Sequence, residues 1–235
     1  MTRAKTVRIG LLMAWCIGGA AVALRAEDKQ PVWKPLWDGK TLKGWHEFGT
    51  KGSWTVKDGA LLGQADKPKL YALLVSDEQY GDFTVRLKFK MFAGNSGFYI
   101  RTELRGADEA RGLQLEVAPG GGDFTSGIYE SYERGWLTKP AAEQAANLYK
   151  KDDWNEFVVS ANGPHVVVHF NGVKTVDFED PKGRRTGHFA LQQHEGMVNH
   201  VMFKDIEILA ENSDETGATK KATSLMSPGE RERNQ

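Results

Sequence analysis

Cysteine is almost absent from this 235-residue chain: there is one, Cys16. It lies in the apolar run Ile9–Leu24, which follows Arg3, Lys5 and Arg8 and closes on Ala21-Val22-Ala23, with Ala26 just beyond. A basic start, an apolar middle and small residues before a cut are the pattern of an export signal, so residues 1–26 are expected to be removed. The run is short for a membrane span, which needs ~20 apolar residues. Trp15 before Cys16 fits a lipoprotein signal poorly. An exported chain without cysteine excludes a cystine scaffold, a thiol nucleophile and a thiolate metal site, and its stability must come from a packed core. Excess charge is missing too: Lys+Arg 31 stand against Asp+Glu 31, with no long basic run to hold nucleic acid or an anionic membrane. The expected location is the periplasm or the exterior, with no membrane contact after cleavage.

Several catalytic signatures are also missing. There is no Gly-x-Ser-x-Gly elbow, no His-Glu-x-x-His and no phosphate loop. Glu-x-Asp-x-x-Glu, which puts the carboxylates of sandwich glucanases on one strand, does not occur. His188, His194 and His200 are spaced unlike any compact zinc motif. No alternation of strands with long helical patterns suggests a parallel sheet, and no internal repeat is evident. From Glu211 the chain is polar and poor in apolar residues, so 211–235 read as a disordered tail. That leaves residues 31–210 for one folded domain.

Within that stretch the dominant pattern is period-2 alternation. Phe83, Val85, Leu87, Phe89 and Met91 alternate with Thr84, Arg86, Lys88 and Lys90, giving a strand with one wet face. Lys57-Asp58-Gly59 and Asn171-Gly172 are hairpin turns. Trp154–Ser160, Val166–Phe170 and Val173–Phe178 form a meander, and Ala141–Leu148 is the one short helix. About a dozen strands at short spacing predict an all-β, two-sheet sandwich.

Three strands carry an unusual second face. In Asn95–Glu103, Phe98 and Ile100 face one way, and Gly97, Tyr99, Arg101 and Glu103 the other. In Gly112–Val117, Gly112, Gln114 and Glu116 oppose Leu113, Leu115 and Val117. In Gly187–His194, His188, Ala190, Gln192 and His194 oppose Phe189 and Leu191. Glycines beside amides, carboxylates and an arginine suit a groove where something approaches the backbone. If these strands are neighbours, the residues line one cleft. Its candidate acid and base are Glu116 and His194, with Tyr99, Arg101, Gln114, Tyr129 and Gln192 in support and Trp136 as a stacking platform for a sugar. Plainer roles stand beside these: Arg101 pairing with Glu103 or Glu116, His194 as a surface histidine, Glu116 as a core-edge carboxylate, Tyr129 as partly structural. Trp154 is expected in the core.

Taken in order, Trp37-Asp38-Gly39-Lys40, Asn95-Ser96-Gly97-Phe98-Tyr99-Ile100-Arg101, Gly112-Leu113-Gln114-Leu115-Glu116, Ser126-Gly127-Ile128-Tyr129-Glu130, Trp154-Asn155-Glu156 and Leu191-Gln192-Gln193-His194 resemble the 3-keto-disaccharide hydrolase family. The likeness runs from about Trp33 to Leu209. It implies a concanavalin A-like jelly-roll sandwich of lectin or glucanase type, in exported bacterial proteins acting on sugars oxidised at C3. It further implies cleavage by removal of the C2 hydrogen, β-elimination of the aglycone through an enolate and hydration of the glycal, with Glu116 or His194 as the base and the other as the acid. Arg101 with Gln192, or a bound divalent cation, would stabilise the enolate. No cofactor is otherwise implied, and the expected partner is a 3-keto-glycoside. A non-catalytic, lectin-like carbohydrate-binding domain is the alternative on the same fold.

Overall fold

The computed structural model describes residues 32–67, 71–121 and 124–210. The expected signal segment and polar tail lie outside these residues. Among the described residues there are fifteen strands: β1 (Trp33–Pro35), β2 (Trp45–Gly49), β3 (Trp54–Lys57), β4 (Ala60–Ala65), β5 (Ala72–Tyr80), β6 (Phe83–Ala93), β7 (Ser96–Arg105), β8 (Glu109–Val117), β9 (Ile128–Glu130), β10 (Gly135–Thr138), β11 (Asn155–Asn162), β12 (His165–Phe170), β13 (Val173–Glu179), β14 (Gly187–Gln193) and β15 (Asn199–Leu209). Among the described residues there is one α-helix, α1 (Ala142–Leu148), within the stretch where the sequence placed it.

The strands make two antiparallel sheets. One has eight strands, in the order β13-β12-β11-β6-β15-β4-β3 with β1 beside β15; the other has seven, in the order β10-β9-β8-β7-β14-β5-β2. The inward faces of both sheets supply one core, in which Phe89, Phe98, Phe157, Phe170, Phe189 and Phe203 are fully buried. Phe189 of β14 stacks on Tyr80 at 4.3 Å and meets Phe83 edge-on at 4.8 Å, geometries that aromatic pairs favour. The alternation of β6 is realised residue by residue: Val85, Leu87 and Phe89 are fully buried, and the residues between them are half-exposed. Trp154 departs from expectation. It lies half-exposed, with the Lys204 ammonium 4.3 Å above its ring, because it precedes β11 and faces the solvent side of the eight-stranded sheet.

The functional consequence lies in the seven-stranded sheet. β7 sits between β8 and β14, so the three strands with polar second faces are adjacent. Register places Tyr129, Gln114, Tyr99 and Ala190 in one row across four strands. The outer face is not simply wet. Tyr71, Leu73, Val75, Tyr99, Ala110 and Ala190 form a second buried cluster on it, with Phe48 and Leu104 packed against them.

Candidate active site

A cleft of about 460 Å³ opens on this outer face. Its walls include Tyr99, Gln114, Glu116, Tyr129, Trp136, Gln192 and His194, seven of the eight residues selected from the sequence. Gly97 lies opposite Glu116 in the register. A Cβ there would come within 2.5 Å of the Gln114 side chain, so only glycine lets that amide lie across β7.

The polar groups form a directed chain. Glu116, as a carboxylate, only accepts. Gln114 therefore turns Nε2 to Glu116 Oε2 at 2.9 Å and presents Oε1 to the Tyr99 hydroxyl at 2.6 Å. Tyr99, 1% exposed, spends its proton on Gln114 and accepts from Tyr71 (3.2 Å) and from Gln192 Nε2 (3.1 Å); Ser131 Oγ lies 2.7 Å away. Burial pushes the Tyr99 and Tyr71 hydroxyls well above the ordinary phenol range, so both remain neutral donors. The other carboxylate oxygen, Oε1 of Glu116, accepts from Asn95 Nδ2. Burial raises the Glu116 pKa above the usual carboxylate value; the two amide donors and the nearby His194 charge offset this only in part. A carboxylate held this way is a stronger base than an exposed one.

His194 follows β14 directly. Its Nδ1 is 2.7 Å from the Glu195 carbonyl oxygen, which can only accept. Nδ1 therefore carries the hydrogen, and in the neutral ring Nε2 holds the free lone pair. Trp136 pairs with Tyr129 across β9 and β10 and meets it edge-on at 5.3 Å. With 36% of its surface exposed, Trp136 forms an aromatic wall, backed by Phe124 at 4.9 Å.

Arg101 is the exception. Between Ile100 and Glu103 the register slips: Arg101 and Thr102 together oppose Gly112. Arg101 takes a left-handed φ of 51°, the signature of a β-bulge. The extra residue breaks the alternation, and the guanidinium leaves the cleft face. It donates to the carbonyls of Gly163 (2.7 Å), Gly81 (3.2 Å) and Arg184 (3.2 Å) and pairs with Asp82 at 3.1 Å. It is 1% exposed and ties three loops together. Its placement as a substrate or enolate ligand is thus corrected, and its expected pairing with Glu103 or Glu116 is replaced by Asp82. Glu103 instead binds Arg105 and Arg184. Gln192 lines the cleft and gives one of its two amide N–H groups to Tyr99.

Sequence reasoning passed over Asn95, Tyr71, Ser131, Tyr132 and Glu195, which also line the cleft. Asn95 sat within a motif already singled out. Tyr71 shares the parity of Leu73 and Val75 on the outer face, but that stretch is apolar on both sides, so alternation did not single it out; Ser131 and Tyr132 belong to a turn, where period-2 counting has no purchase. Among the described residues, no group of three or more His, Cys, Asp or Glu side chains is placed to share a metal ion. The cleft's donor set thus does not match the three-protein-ligand pattern of a catalytic zinc site.

The sequence matches the 3-keto-alpha-glucoside-1,2-lyase-like domain family over residues 32–209. This chain belongs to that family. No curated protein matches the sequence. Among solved structures, a Parabacteroides distasonis protein provisionally assigned as a glycosyl hydrolase is similar at 21% identity and a TM-score of 0.58, over 77% of this chain and 94% of that one. The carbohydrate-binding module CBM66 of Bacillus subtilis is similar at 14% identity and a TM-score of 0.53, over 75% and 100%. A laminarinase from Flavobacterium sp. UMI-01 follows at 10% identity and a TM-score of 0.55, over 77% and 100%. At these identities the likeness is one of fold. It places this 3-keto-alpha-glucoside-1,2-lyase-like domain on a sandwich shared by glycosyl hydrolases and carbohydrate-binding modules.

Proposed function

We propose that this protein cleaves 3-keto-glycosides by elimination followed by hydration. The observation that carries the reading is the pairing, in one cleft, of a buried carboxylate of raised basicity with a histidine, in a chain of this family. A ketone at C3 acidifies the C2 hydrogen. Glu116 removes that proton, and the electron pair becomes the enolate. The enolate collapses to restore the C3 ketone, forms the C1–C2 double bond and breaks the bond from C1 to the aglycone oxygen. The His194 imidazolium protonates the departing oxygen from Nε2. Water then adds at C1 and a proton returns to C2, so the sum is hydrolysis. With Arg101 outside the cleft, donors to the enolate oxygen are assigned to its neutral wall: the hydroxyls of Tyr129 and Tyr132 and the second N–H of Asn95. The aromatic face of Trp136 positions the sugar.

The test is turnover of a 3-keto-glucoside in deuterated water. Elimination and hydration predict deuterium at C2 of the released keto-sugar, even when the reaction is stopped early enough to limit exchange of the free product. Release with hydrogen retained at C2 would mean direct displacement at C1 and would overturn the mechanism. Binding without release would favour a carbohydrate-binding role, the reading that the exposed Trp136 would then serve.

A further inference from the structure

Asn199 opens β15, in the eight-stranded sheet, whereas the cleft belongs to the seven-stranded one. Its side chain is 1% exposed and reaches across the gap. Oδ1 accepts from the Asn95 backbone N–H at 2.9 Å, and Nδ2 donates to the His194 carbonyl at 2.6 Å. The His194 N–H in turn donates to the Asn95 carbonyl at 3.3 Å. These bonds close a ring through the two segments that carry the cleft's least regular side chains: neither Asn95 nor His194 lies within a strand. Gly94, at φ +85°, packs so tightly here that a Cβ would come within 2.2 Å of Asn199 Oδ1.

We propose that Asn199 is a positioning residue, a clamp between the sheets that presents the Asn95 amide to Glu116 and His194 to the same cleft. It touches no substrate. It acts through the two residues it holds, and the site's geometry thereby depends on how the sheets are seated on each other. Secure capping of this kind by a buried amide is how a first contact shell is held to within fractions of an ångström. The inference rests on the reading of Glu116 as the base, and its test is chosen to stand apart from turnover.

The experiment is a carbon-13 titration of the Glu116 carboxyl in wild type, Asn199→Ala, Asn95→Ala and the double variant, beside kcat and KM against pH. The titratable groups facing Glu116 are His194, Glu195 and Tyr71, Tyr99, Tyr129 and Tyr132. Losing the Asn95 donation, or the nearby His194 charge, raises the Glu116 midpoint, so both effects have one sign. Asn199→Ala should move the midpoint upward, shift the acid limb of kcat with it and lower kcat about tenfold to a hundredfold. The double variant should shift the midpoint no further than the larger single. Asn155→Ala removes an equally buried amide on β11 that bonds Lys150 and Asn171; it should lower stability and leave the midpoint in place. Gly94→Ala presses on Asn199 from the other side and should reproduce the upward shift if Asn199→Ala does not fold. An unchanged midpoint in folded Asn199→Ala, or a shift equal to that of Asn155→Ala, would overturn the proposal. A shifted midpoint in a protein that turns over no keto-glycoside would uphold the clamp and remove the enzymatic reading alone.

Discussion

Replacing Arg101 by methionine separates anchoring from catalysis. The side chain is buried, and its donors serve three backbone carbonyls and one carboxylate. Hydrogen bonds from a charged group contribute about 1.5–3 kcal/mol each, which summed naively would approach 10 kcal/mol. Two effects reduce this. Burial disfavours the guanidinium's charge, and that desolvation cost disappears with the charge. The Asp82 side chain is 59% exposed and returns to water; it also keeps its bond from the Gly163 N–H at 2.8 Å. Three loop carbonyls remain to be rehydrated, at about 1 kcal/mol each. The expected loss is therefore about 3 kcal/mol, or roughly 6–12 °C in Tm for a domain of this size. Urea unfolding followed by tryptophan fluorescence measures it, and kcat/KM on a 3-keto-glucoside should stay within about threefold of wild type once the folded fraction is counted. A loss under about 1 kcal/mol would refute the anchoring argument, and a hundredfold fall in kcat/KM at unchanged stability would return Arg101 to the chemistry.

The cleft makes three further predictions. Glu116→Gln should abolish turnover yet stabilise the fold at neutral pH. The raised pKa of Glu116 means its stabilising contribution is present below the unfolded value and is lost as pH rises through the folded one. The Tm gain of the variant should thus appear above that window and vanish at acid pH, as calorimetry across pH would reveal. Tyr99→Phe removes a hydroxyl that meets Tyr71, Gln114, Gln192 and Ser131. Ser131, 3.5 Å from Gln114 Oε1, can replace one bond, so about 2–3 kcal/mol should be lost in urea unfolding. Trp136→Ala should raise KM about threefold to tenfold, the worth of one aromatic contact, with kcat little changed.

Periodicity made most of this molecule legible. β6 alternates from Phe83 to Met91 because one face meets the core and the other water, and the meander β11–β13 is punctuated by Asn171-Gly172. The adjacency of β7, β8 and β14 could not be read from the chain: their shared polar faces made one cleft a consequence only if the strands were neighbours, and the sheet order supplies that condition. Misreadings gather where alternation fails. Arg101 sits at a bulge, and one extra residue sends its side chain to another surface. Trp154 is a different case: it keeps the outward parity of Glu156 and Val158, so its size and not its spacing suggested the core. Asn95, Ser131 and Tyr132 belong to turns, whose side-chain directions are set by backbone geometry that sequence spacing does not encode. Asn199 was invisible as a site residue for another reason: its role depends on the packing of one sheet against the other.

The central claim is that the cleft acts on a sugar only when C3 carries a ketone, with Glu116 and His194 performing the proton transfers. The most direct measurement is aglycone release from a 3-keto-glucoside and from the matching unoxidised glucoside, by wild type, Glu116→Gln and His194→Ala. Release from the keto substrate alone, lost in both variants while each remains folded, is the predicted result. Equal release from the two substrates, or undiminished release by either variant, would contradict it.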